Sequence, residues 1–503
     1  MRQRHSALPF STRRSGARRI ATLLAALVIS LPFTQAQADD RAMRNALEAA
    51  RDQQWERVDF RAIESHPLAG YVEYHRLRGR LPQLEPRQVL GFIDRHADTP
   101  LGEWLRGQAI AQYGHAGRYQ SLLAVADGEP AGTARQCYYY TALLGSDPSA
   151  AAEGGLALWR VGRSQPDACD TLFGTLRSQG VIGEQEIWER KMLAWQAGES
   201  GLVGYLGRQL GSRWEGARAA MEQVDGNFAA VTRIPACLGP ECRASGPLFA
   251  AAMHGFTRAD TEAALEAWRR IGEPLPIERE HRAEIERDLI FYSLVRDIRH
   301  NRGWVDQALA SRSDADLLEL RVRAALADRD WRGVLDWLAR MEPDTRDDSR
   351  WHYWAGRAHE RLGDDARARE AYALAAEGRS FFGFAAADRL GQPYALNLER
   401  NGFDDSFRQQ VAGWPAVQRT EALLRINEPG LAASEWYAAV ERAGEREARA
   451  LADYAQRRGW HAKLVQTTIT GRMWDALEWR FPEAYREHFL HWGRMTGVDP
   501  YLL

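Results

Sequence analysis

The chain has 503 residues, of which 45% are hydrophobic, and its 66 Lys and Arg nearly balance 68 Asp and Glu for a formal net charge of −2. A single hydrophobic core rarely serves a chain this long, and the charge balance argues against a general nucleic-acid binder. Basic residues are nearly all Arg, with Lys only at Lys191 and Lys463, a bias that a GC-rich genome explains better than Arg-specific recognition.

The chain opens with a basic run, Arg13, Arg14, Arg18 and Arg19, followed by an apolar stretch over 20–33 and then Ala36-Gln37-Ala38. Basic n-region, short apolar h-region and small-x-small site together predict an export signal over 1–38, with the mature chain starting near Asp39. The apolar stretch is too short for a membrane span, although an uncleaved anchor is the competing reading. Asp rather than Cys after the site argues against a lipoprotein. Arg13-Arg14 would also suit twin-arginine export; the general secretory route is preferred because no folded cofactor domain is evident. Removing 1–38, with its six Arg and no acid, leaves 465 residues and a net charge of −8. With no further long apolar run, the mature chain is expected to carry no membrane anchor and to bind no nucleic acid.

From there the sequence reads as helix, short turn, helix. Over 313–327, Ser313 is placed to cap a helix, with Asp316 three residues on in the manner of a capping box. Leu318, Val322, Ala325 and Leu326 follow at helical spacing, and Asp328-Arg329-Asp330 breaks the run before Trp331. No stretch sustains the period-two alternation of a strand. An irregular repeat recurs, in which a polar turn leads to an aromatic with an apolar residue close behind: Trp55 with Val58, Tyr119 with Leu122, Trp331 with Val334, Trp460 with Leu464. Within 351–376, Gly356 is expected at a close helix crossing and Gly363 at a helix end. Asp364 would cap the next helix, and Ala368, Tyr372 and Ala375 would line its inner face. Such pairs bury their apolar faces only by stacking, which predicts an all-α solenoid of helix pairs like tetratricopeptide units. Breaks at 401–405 and at Phe481-Pro482 mark boundaries.

Four cysteines in an exported chain suggest two disulfides. Cys137–Cys169 and Cys237–Cys242 is the natural pairing, because it closes two local loops. Zinc is disfavoured, since Cys237 and Cys242 have no second ligand pair nearby. His488 and His491, at i and i+3, lack a third ligand and are read as surface residues. No phosphate-binding glycine loop, nucleophile elbow or H-E-x-x-H is present, no cofactor is expected, and no acid–base pair can be nominated. The 18 Trp would suit carbohydrate stacking, but Trp55, Trp331 and Trp460 recur where packing wedges belong. Tyr138-Tyr139-Tyr140 cannot all face one core on a helix, so at least one is expected at a surface or groove.

Several segments carry a resemblance: Arg135-Gln136-Cys137-Tyr138-Tyr139-Tyr140, Gly162-Arg163-Ser164-Gln165-Pro166-Asp167-Ala168-Cys169-Asp170, and Arg350-Trp351-His352-Tyr353-Trp354. Gly471-Arg472-Met473-Trp474-Asp475 and Phe481-Pro482-Glu483-Ala484-Tyr485 complete the series. In order and spacing they resemble the soluble lytic murein transglycosylase family of the Gram-negative periplasm. The resemblance implies a right-handed, U-shaped superhelix over 39–405, a small all-α linker domain over 406–480, and the first helix of a lysozyme-like catalytic domain in 481–503. It places Cys137 and Cys169 at a family disulfide, with Cys237–Cys242 an addition. It also implies a monomer acting on peptidoglycan glycan strands, with other cell-wall enzymes as further partners.

The implied chemistry is cleavage of the bond between N-acetylmuramic acid and N-acetylglucosamine by a single glutamic acid of raised pKa. That residue protonates the glycosidic oxygen and then serves as base while the muramoyl 6-hydroxyl closes a 1,6-anhydro ring. The family's Glu-Ser followed by Gly-Leu-Met-Gln is not found here; Glu64-Ser65 and Glu199-Ser200 have no such continuation. The expectation is therefore a chain truncated before its catalytic glutamate, with no catalytic residue to assign and no activity alone. The alternative is a periplasmic solenoid scaffold that binds glycan strands or protein partners.

Overall fold

Short polar side chains punctuate the chain, and they explain where its helices begin. In a computed structural model that describes residues 39–399 and 402–502, Asp147, Asp260, Asp330, Asp364 and Asp404 each accept a backbone N–H from three residues on, at 2.8–3.1 Å. Each thereby satisfies one amide that the first helical turn leaves unpaired. Helix ends are as local. Gly363 and Gly391 take φ of +81° and +64°, the left-handed conformation that glycine adopts without steric cost. The export signal expected over 1–38 lies outside the described residues.

All regular structure among the described residues is helical, α or 3-10, with no strand. No described helix is long and apolar enough to cross a membrane. The helix at 313–327 begins one residue later than expected. Asp314, not Ser313, holds the extended cap conformation and accepts from Leu317 N at 3.1 Å, because the helix starts at Ala315. Leu318, Val322 and Ala325 form its buried stripe, and Arg329 ends it at φ +60°.

The described residues divide into two compact units. One is residues 127–398, a succession of antiparallel helix pairs. Ser349–Arg361 and Asp365–Ala376 show the packing rule. Gly356 faces the Tyr372 ring so closely that a Cβ would collide with it, while Ala368, Tyr372 and Ala375 are buried between the pair and its neighbour. Larger aromatics fill the wider layers: Trp188 and Trp214, with ring centroids 5.6 Å apart, and Trp351, 1% exposed. Both disulfides lie in this unit, Cys137–Cys169 with Cα atoms 4.8 Å apart and Cys237–Cys242 with 4.5 Å.

The other unit joins the described residues up to Ala126 to those from Glu399 onward. Its later helices enclose a core of Val411, Trp436, Leu451, Leu464 and Trp479, and its early helices dock on them through polar bonds of very long sequence separation. Arg51 forms a two-pronged pair with Glu428 at 2.6 and 2.9 Å. Arg425 reaches Asp40 at 2.8 Å, and Arg44 donates to the Ile426 carbonyl at 3.1 Å.

The repeating aromatics Trp55, Tyr119, Trp331 and Trp460 are each half-buried at the start of a helix. The apolar residue behind each is the one fully enclosed: Val58 at 8% exposure and Leu122, Val334 and Leu464 at 0%.

Candidate binding clefts and a buried polar network

In the 127–398 unit, the segment 162–170 borders a cleft of about 450 Å3 together with helices Asp170–Ser178 and Glu184–Gln196. Cys137–Cys169 ties down this segment next to Asp170. The inner wall is aromatic and cationic. Trp159 and Phe173 meet edge to face, with centroids 5.1 Å apart. The Arg190 guanidinium lies over both rings, 4.2 Å from the Trp159 centroid and 5.6 Å from that of Phe173. Trp159 is held by donating its indole N–H to the Glu186 carbonyl at 3.0 Å. Arg190 is 4% exposed, donates to the Arg163 carbonyl at 3.1 Å, and keeps a buried Nε with no acceptor. Burial pushes its pKa down from the usual arginine range. Arg177 and Tyr205, both exposed, complete the rim.

A second cleft in this unit, of about 530 Å3, is lined by Tyr139 and Tyr140 with Glu129 and Glu153. The tyrosine rings stand nearly perpendicular at 5.3 Å. Burial, then a hydrogen bond to Glu129, pushes the Tyr140 hydroxyl up to about 12. Tyr139 and Tyr140 are thus the members of the Tyr138-Tyr139-Tyr140 run that reach a groove; all three are half-buried.

In the other unit a polar cluster is closed off from solvent. Glu435, with a side chain 0% exposed, accepts from Tyr71 Oη at 2.7 Å and from Arg419 Nε at 2.5 Å. Arg419 also pairs with Asp98 at 2.9 Å and donates to its carbonyl at 2.9 Å. Burial drives the Glu435 carboxyl above its usual range against the pull of Arg419 and Tyr71, and burial likewise drives the Tyr71 hydroxyl upward. A raised carboxyl is what an acid catalyst needs, but both Glu435 oxygens are engaged and no solvent reaches them. Its role is to join segments distant in sequence.

Glu64 and Glu199, of the two Glu-Ser pairs, are exposed at helix ends. His488 and His491 are exposed on the helix Arg486–Thr496, and among the described residues no three His, Cys, Asp or Glu are grouped to hold a metal. Arg190 and the Arg419–Glu435 pair escape sequence reasoning, although each leaves a trace: a charge at a position where its helix is otherwise apolar. Arg190 and Lys191 sit between Trp188 and Met192, all four buried.

Comparison with known proteins places this arrangement. A family model for the soluble lytic murein transglycosylase L domain matches residues 410–477. The chain is 29% identical over 480 residues to the soluble lytic murein transglycosylase of Escherichia coli K12, a match spanning 93% of this chain and 74% of that protein. The corresponding protein of Salmonella typhimurium is 29% identical over 492 residues, 95% of this chain and 75% of its own length. The fold aligns with the 70-kDa soluble lytic transglycosylase bound to bulgecin A at a TM-score of 0.74 and 27% identity, over 92% of this chain and 75% of that one. An inactive variant of the lytic transglycosylase Slt of Pseudomonas aeruginosa aligns at a TM-score of 0.80 and 25% identity, again over 92% and 75%. The all-α superhelical class of those structures is the class of this one. The helix-pair architecture, the ordered motif segments and the L-domain match agree, and together they make the chain similar to the soluble lytic murein transglycosylases along nearly all of its length.

Proposed function

We propose that this protein serves the lytic cleavage of peptidoglycan in the periplasm, opening the β-1,4 bond between N-acetylmuramic acid and N-acetylglucosamine to leave a 1,6-anhydromuramoyl end. The observation that carries this reading is a likeness extending along 93% of the chain, in sequence as well as fold. In this reading residues 39–405 are the superhelical part, 406–480 the linker domain, and 481–503 the opening of the lysozyme-like domain. The chain acts as a monomer with glycan strands as its substrate, and other cell-wall enzymes are its candidate partners. The bond-breaking step requires a carboxyl held protonated near neutral pH in a sheltered cleft, and in this reading no catalytic residue is assigned within the chain.

The test is incubation with purified sacculi and mass analysis of the products. We expect these 503 residues to be retained on sacculi without releasing anhydromuropeptides, and to release them when joined to a lysozyme-like domain of the family. Release by the 503 residues alone would contradict the absence of an acid, and no release by the joined protein would contradict the function. Clefts lined by Tyr139, Tyr140 and Trp159 favour a second reading, a scaffold holding glycan or protein partners. Retention on sacculi with no release in either form would support it.

A further inference from the structure

Three arginines are buried among the described residues: Arg190, Arg321 and Arg419, at 4%, 6% and 8% exposure. Two have counter-charges, Arg321 with Asp306 at 2.6 Å and Arg419 with Glu435 at 2.5 Å. Arg190 has no carboxylate within ion-pair reach. Its protein bond is a single one to the Arg163 carbonyl, and its Nε has no acceptor at all. A buried charge normally persists only with a partner. The faces of Trp159 and Phe173 attract the cation through their quadrupoles, but they neutralise no charge. The guanidinium nonetheless forms part of the wall of an open cleft of about 450 Å3, a volume in the usual range for small-ligand sites. The missing counter-charge is therefore one that a ligand would supply.

We infer that the cleft bounded by Trp159, Phe173, Arg177, Arg190 and Tyr205 binds a peptide carboxylate, that of the stem peptide carried by peptidoglycan. The assignment to a stem peptide rests on the function proposed above. Guanidinium groups match carboxylates geometrically, and Arg177 adds a second cation at the rim. Asp170, on the same rim, selects against a doubly charged phosphate. The two aromatic faces offer apolar surface to the aliphatic side chains of a short peptide. The volume suits a short peptide segment and excludes a folded partner. The segment 162–170 thereby acquires a role that the cleavage chemistry does not use.

The test is calorimetric titration of the full mature chain with a disaccharide tetrapeptide, its carboxyls free or amidated, and with inorganic phosphate. We expect the free acid to bind at least tenfold more tightly than the amide, and phosphate more weakly than either. Arg190→Gln should abolish the discrimination. Because Arg190 also supports the Arg163 carbonyl, Arg177→Glu and Tyr205→Ala on the exposed rim are measured beside it, with melting temperatures unchanged and a severalfold loss expected from each. Equal binding of acid and amide, or no effect of either rim variant, would overturn the site. Preferential binding of phosphate would overturn the carboxylate assignment. Release from sacculi by the protein joined to a lysozyme-like domain is scored separately. Release without carboxylate discrimination defeats this inference alone, and discrimination without release defeats the function and the stem-peptide assignment together.

Discussion

Arg419 and Glu435 meet at 2.5 Å with side chains only 10% and 0% exposed, so the pair is sealed from water. Tyr71 donates to the same carboxylate from 364 positions earlier in the chain, and Asp98 takes the other side of the guanidinium. Removing one member strands the other in a medium that solvates it poorly. Glu435→Ala should cost about 3–5 kcal/mol, and Tyr71→Phe about 1–3 kcal/mol. Replacing the pair together by Arg419→Met and Glu435→Leu should recover much of the loss. Urea unfolding of the wild type, Arg419→Met, Glu435→Leu and the double variant as a double-mutant cycle checks this; additive losses would show that the pair is not coupled.

His75 gives the fold an acid sensitivity. Burial first, then the nearby charges of Arg51 and Arg78, depress its pKa to about 4 from the ordinary histidine value of 6.5. A depressed folded value means that the unfolded chain takes up the proton first. Stability is therefore full above pH 6.5 and declines as pH falls toward 4. His254 works in the opposite sense. Its hydrogen bond to Asp288 at 2.6 Å raises its pKa, so its contribution is full below pH 6.5 and fades as pH rises through the folded value. Melting temperatures across pH 4–8 should show His75→Gln flattening the acid limb. His254→Gln should cost more at pH 6 than at pH 8.

The two disulfides should differ in worth. Cys137–Cys169 spans 32 positions and Cys237–Cys242 spans 5. Closing the longer loop removes more freedom from the unfolded chain, about 4 kcal/mol against about 2 kcal/mol in the chain-entropy account. Paired Cys→Ala variants, compared by melting temperature under oxidising conditions, should lose stability in that order. Equal losses would mean that native-state strain outweighs loop entropy.

Sequence reasoning reaches furthest where structure is decided locally. Asp364, Gly363 and the stripe Ala368, Tyr372 and Ala375 could be placed because caps, left-handed glycines and helical periodicity act over a few residues. The misplaced cap at Ser313 reflects the same locality, since Asp314 next to it offers an equally good acceptor and only the backbone decides between them. Arg190 over Trp159 and Arg419 against Glu435 were not legible. Their partners lie 31 and 16 positions away, and the tertiary packing that buries them has no local signature. Contacts such as Tyr71 to Glu435 need the whole fold.

The helix Arg486–Thr496 should be the first described part of the chain to yield to protease. Gly493 is its one buried residue, whereas the helix Glu445–Arg457 buries seven, Leu451 and Tyr454 among them. Around it Phe481, Tyr485, Trp492 and Met495 are 56–69% exposed. Apolar area left in water contributes no stabilisation to offset the entropy of ordering the segment, so local opening there should need far less free energy than global unfolding. Trypsin under native conditions should cut first after Arg486 and Arg494, leaving the earlier helices intact. Binding of an apolar dye should drop once the fragment is lost, because exposed apolar side chains of this size are what such a dye binds. Arg457 and Arg458 being cut as fast as Arg486 would rule out a difference in local stability.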